Sequence, residues 1–160
     1  MTVKELSKLY WLNREVELNR KQLAALEKEI GQDGAELERL RASMDGLKSP
    51  GLDGMPHGTD VSNPVESTVL QIMALEEALR RKHDAMMNLK ALISARQTVI
   101  VLERDRLERY ISTIPDSNLR QMFIFRYING LSWEAVTVSM GSGYLQDSIR
   151  KAVYRYIRKN

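Results

Sequence analysis

Leu9, Val16, Leu23, Ile30, Leu37 and Met44 recur every seven residues. Leu12, Asn19, Leu26, Asp33, Leu40 and Leu47 interleave with them at steps of three and four. Ten of these twelve residues are apolar, and the register does not slip. Such a repeat gives a helix one narrow apolar stripe, which is buried by packing along another helix as a coiled coil. Asn19 on the seam is a candidate for fixing register at some cost in stability. Asp33, between Gly31 and Gly34, marks a place where the helix is expected to kink or break.

A second repeat follows. Val65, Ile72, Leu79, Met86, Ile93, Ile100, Leu107 and Ile114 are spaced by seven without exception. The companion position alternates among Leu75, Leu89 and Tyr110 at some turns and Val69 and Ile111 at others. No proline or glycine interrupts residues 65–114, so one helix of about 70 Å is expected at ~1.5 Å per residue. Between the repeats, "GLKSPGLDGMPHGTDVSNP" holds four glycines and three prolines, which forbid a regular element. The expected layout is a helix over about 3–46, a flexible loop over 47–63 and a helix over 64–114, capped by Asn63 with Pro64 in its first turn. Two such helices and one loop fit an antiparallel hairpin. The same periodicity allows each helix to pair with its copy in a dimer.

Pro115 ends the second repeat, and residues 115–160 are expected to form a small domain of three helices. The first carries Leu119, Met122, Phe123 and Tyr127, with Asp116 or Ser117 as cap and Gly130 past its end. The second is "SWEAVTVSM", capped by Ser132 with Glu134 in its first turn, and "GSG" then permits a tight turn. The last runs from about Leu145 to Lys159 on a stripe of Ile149, Ala152, Val153, Tyr156 and Ile157. The fold class is therefore all-α: a long coiled-coil hairpin (1–114) followed by a helix-turn-helix domain (115–160).

Charge is unevenly spread. Residues 1–116 hold 17 Lys and Arg against 19 Asp and Glu, whereas residues 117–160 hold 7 against 2. A basic end of this kind attracts polyanions, because each neutralised phosphate releases condensed counterions. Removing the apolar stripe leaves Gln146, Asp147, Ser148, Arg150, Lys151, Tyr154, Arg155, Arg158 and Lys159 on the outer face of the last helix. In a helix-turn-helix the second helix enters the major groove. There arginine bridges guanine O6 and N7, glutamine pairs with adenine, and more distant cations hold phosphates. Arg126 and Ser132 are further phosphate candidates at the helix ends. The bland alternative is a three-helix cap with a solvated basic face.

The segment "IPDSNLRQMFIFRYINGLSWEAVTVSMG" resembles region 4 of sigma-70 factors. The matching residues are Ile114, Pro115, Phe125, Arg126, Tyr127, Gly130, Leu131, Ser132, Trp133 and Glu134. "IRKAVYRYIRK" resembles the recognition-helix pattern, with Ile149, Ala152 and Ile157 as its core. The turn after Gly141 is about two residues longer than in that pattern, which moves the start of the recognition helix. With that offset, Gln146, Asp147, Arg150 and Lys151 fall where the family contacts −35 promoter bases. The whole chain is similar to phage and prophage regulators of the RinA/ArpU type, which join a helical N-terminal region to such a domain. That resemblance implies control of late phage genes by a DNA-binding transcription regulator, an activator, in the cytoplasm of a bacterial host. It implies double-stranded DNA as ligand and RNA polymerase as a candidate partner. A narrow two-helix stalk is thinly buried, so a homo-oligomer, with a dimer favoured, is expected on stability grounds.

Other classes find less support. No cysteine is present, so disulfide frameworks and thiolate metal sites are excluded. His57 and His83 stand far apart without metal-ligand spacing, and no phosphate-binding glycine motif occurs. An enzyme is not expected, nor a cofactor. No apolar run approaches the ~18 residues of a membrane span, and "MTVKELSKLY" lacks the apolar core of a secretory signal. Two alternatives remain: the DNA-recognition small subunit of a phage packaging terminase, which assembles as a many-copy ring, and a coiled-coil adaptor that binds no DNA.

Overall fold

A computed structural model describes residues 1–46 and 64–159. The expected loop over 47–63, with Leu47, His57 and the Asn63 cap, lies outside the described residues. The chain is all-α: α1 (Val3–Leu6), α2 (Lys8–Asp45), α3 (Pro64–Ser112), α4 (Ser117–Phe123), α5 (Trp133–Met140) and α6 (Gln146–Lys159). It divides into two compact units, one of Met1–Asn19 with Leu92–Asn160 and one of Arg20–Ala91.

In the unit of residues 20–91, α2 and α3 pack antiparallel. Glu27 pairs with Lys90, Glu29 and Asp33 with Lys82, and Arg41 with Glu76, so one helix number falls as the other rises. Leu37 is buried, and Leu23, Leu26, Ile30 and Leu40 are half-buried along the seam with Ile72, Leu75, Leu79, Met86 and Leu89. The two helices of one chain are thus each other's partners. At the start of α3 the repeat does not translate into burial, because Val65 and Val69 stay exposed.

The expected break near Asp33 is absent: α2 is continuous from Lys8 to Asp45. The Lys82 ammonium lies 2.7 Å from the Asp33 carboxylate and 3.1 Å from that of Glu29. A seam position that would otherwise bury an unpaired charge is satisfied from the facing helix. The glycines on either side cost helix propensity, roughly 1 kcal/mol each, and the paired helix carries that cost.

The other unit holds a core that the sequence divides differently. A boundary at Pro115 would separate the three small helices from everything before them. Instead Leu6, Leu9, Leu107, Ile111 and Ile114 share one buried cluster with Met122, Phe123, Tyr127, Val136, Ile149 and Val153. The chain start is fixed by a capping box: Glu5 N–H donates to Thr2 Oγ1, and Thr2 N–H donates to the Glu5 carboxylate at 2.7 Å. That backbone bond, with a smaller contribution from Arg106, holds the Glu5 carboxyl below its ordinary range. Lys8 with Glu103, Glu15 with Arg96 and Glu5 with Arg106 then tie the N-terminal residues to α3.

Asp116 caps α4, accepting from Asn118 N–H and Leu119 N–H. The helix widens into a π-turn over Ile124–Ile128, in which Asn129 N–H donates to Ile124 O at 2.9 Å. Gly130 then turns the chain at φ 68°, where a β-carbon would sit 3.5 Å from the Tyr10 ring.

Candidate nucleic-acid interface

The site rests on the α5–α6 pair. Ser132 caps α5, its hydroxyl accepting from Ala135 N–H at 3.1 Å. α5 ends at Gly141, and the chain passes Gly141 and Gly143 at φ 94° and 114°. Residues with a β-carbon rarely adopt that backbone, so the glycines define the turn. α6 then begins at Gln146. Ile149 and Val153 are fully buried, while Ala152, Tyr156 and Ile157 are half-buried. That stripe fixes the rotation of α6 about its own axis and decides what it shows to solvent.

What it shows is basic. Arg150, Tyr154 and Arg158 form one row at steps of four, and Lys151, Arg155 and Lys159 form a parallel row. The six line a shallow hollow of about 380 Å³. All five cations are exposed, and among the described residues none of them is in an ion pair. Five like charges on one helical face repel one another, and a polyanion relieves that repulsion. Arg158 and Lys159 also sit at the negative end of the helix dipole, with Asp147 at the positive end.

The first turn of α6 presents Gln146, Asp147 and Ser148 to solvent. Tyr144 and Leu145, just before it, are also exposed, Leu145 to 73%. Neither belongs to the outer face that the apolar stripe of α6 predicts. Their signal was two large apolar residues after a glycine turn and off the helical stripe. Beside a polar turn they can meet thymine methyl groups.

The two outlying candidates behave differently from the α6 set. Arg126 is half-buried. Its Nη1 donates to Leu131 O at 2.6 Å, and its guanidinium stacks 4.9 Å from the centre of the Trp133 ring. Trp133 in turn meets Tyr154 edge-on at 5.9 Å. Arg126 therefore ties the π-turn to α5, and α5 to α6, through an aromatic chain. Ser132 is exposed, with its acceptor side used in capping. Beneath the site, burial pushes the Tyr127 hydroxyl up to about 12, so it stays protonated.

The remaining candidates assemble nothing. His83 is exposed on α3. Among the described residues no three histidines or carboxylates come together in a metal-binding arrangement, and no helix is long and apolar enough to cross a membrane. No protein-family model, curated protein or solved structure matches the chain.

Proposed function

We propose that the protein is a sequence-specific DNA-binding transcription regulator. The observation that carries this reading is the pair of cationic rows on α6, exposed and without an ion pair among the described residues, behind a polar first turn. Gln146, Asp147, Ser148, Arg150 and Lys151 read base edges in the major groove. Tyr154, Arg155, Arg158 and Lys159 hold the backbone, and the Ser132 hydroxyl reaches a phosphate at the start of α5. The likeness of residues 114–159 to sigma region 4, and of the whole chain to the RinA/ArpU regulators, supports activation of phage or prophage genes in the bacterial cytoplasm. RNA polymerase is the corresponding protein partner.

A titration of labelled duplex DNA across salt concentrations tests the electrostatic part. Log affinity should fall linearly with log salt, with a slope near −0.9 for each phosphate held. The three α6 cations assigned to phosphates, Arg155, Arg158 and Lys159, give a slope of about −3. A slope near zero, or no binding at low salt, removes the proposal and leaves a coiled-coil adaptor.

A further inference from the structure

A second apolar face runs along the unit of residues 1–19 and 92–160, and it is not the seam. The ion pair of Glu15 with Arg96, 3.3 Å apart, separates the two. On its inner side lies the seam with Val16, Asn19 and Ile93, all buried. On its outer side, Trp11 and Leu18 stand four residues before and three after Glu15. Leu92 and Val99 stand four before and three after Arg96. Ala95 and Leu102 complete the α3 row at the steps of three and four that define a coiled-coil stripe. The five larger side chains are 42% to 62% exposed, and Ala95 is exposed too. Large apolar side chains grouped in this way mark an interaction surface.

The arrangement identifies the occupant. An isologous dimer requires a surface complementary to itself under a two-fold rotation. Rotation about an axis through the Glu15–Arg96 level, perpendicular to the helices, brings Trp11 opposite Leu18 of a second copy. The same rotation brings Leu92 opposite Leu102 and Ala95 opposite Val99, small against large. Both helices therefore share one centre of symmetry. A hollow of about 340 Å³ beside Trp11 and Leu12 lies where the second Leu18 arrives. Glu15 and Arg96 at the axis are already paired within each copy, and the exposed Lys4 at the edge of the hollow can keep its ammonium in water on a flexible stem.

We infer that this face joins two copies of the chain in an antiparallel four-helix layer, α2 against α2 and α3 against α3. The inference is independent of DNA binding and is read without DNA. The chain has no cysteine, so introduced thiols report cleanly. Leu92→Cys and Leu102→Cys chains, mixed and oxidised, should form the mixed disulfide, while neither forms its own. Bridged residues need Cα atoms within about 7 Å, and ten residues along α3 separate like positions by about 15 Å. Sedimentation of the full chain should give twice the monomer mass, and Leu102→Glu should weaken the dimer at least about tenfold with helix content unchanged. A monomer at tens of micromolar, or like-with-like disulfides, overturns the inference. If Leu102→Glu fails to fold, the disulfide pattern still decides.

Discussion

Lys82 reaches across from α3 to Asp33 on α2 at 2.7 Å, filling a seam position with an ion pair where the repeat calls for a large apolar residue. The hydrogen bonds to Asp33 and then Glu29 raise the Lys82 pKa above its ordinary value of 10.5. A raised folded value means the stabilisation is complete below the ordinary lysine range and is lost as pH climbs through the raised value. Lys82→Gln should therefore lower the unfolding midpoint by a constant amount from neutral pH to about pH 10, and the gap should narrow above that. Thermal melts at pH 7, 9 and 11 check it. A gap that widens with alkalinity contradicts the pairing.

Asn19 is buried, and among the described residues its amide nitrogen has no hydrogen-bond partner. An unsatisfied buried donor costs about 1–3 kcal/mol, and a seam leucine has no such group. Asn19→Leu should therefore stabilise the chain by about 1–2 kcal/mol in urea unfolding. Destabilisation would mean that Asn19 holds a bond the buried seam requires.

Leu6 is fully buried against the small helices although more than a hundred residues precede them. Leu6→Ala should cost about 2–5 kcal/mol and lower the cooperativity of the tryptophan signal from Trp133. A fragment of residues 115–160 lacks Leu6, Leu9, Leu107, Ile111 and Ile114, and should melt without a cooperative transition. A sharp melt from that fragment would show the N-terminal residues to be dispensable to the head.

The helices themselves were largely legible because heptad spacing is a local property of sequence. So was the outward face of α6, since the Ile149–Val153 stripe fixes its complement. The role of Leu6 was not legible. Its burial comes from the chain start meeting residues beyond α3, and no repeat encodes that meeting. Asp33 misled for a related reason: flanking glycines argue for a break, while the compensating cation lies on another helix. Charge and place in the motif make Arg126 a candidate phosphate contact. The geometry adds the Leu131 carbonyl and the Trp133 ring, neither of which its sequence neighbours announce.

Arg126 and Lys159 separate positioning from phosphate contact. Lys159→Ala should weaken all DNA about equally and reduce the salt slope by about 1. Arg126→Met should lower stability by about 1–2 kcal/mol, through the lost cation–π and carbonyl contacts, and leave the slope unchanged. Anisotropy titrations at several salt concentrations, beside melts of each variant, distinguish the two. A slope change in Arg126→Met would return that residue to the phosphate.

If α6 reads sequence through its first two turns, the full chain must select its own site from unrelated DNA. Selection of bound fragments from random DNA by the full chain, at about 150 mM salt where nonspecific binding is weakened, tests it most directly. A recovered motif should vanish in Arg150→Ala/Lys151→Ala. Arg150→Ala alone should relax one base position at a cost of roughly 1–3 kcal/mol. An unchanged motif in the double variant, or no enrichment by the full chain at that salt or lower, would contradict the account.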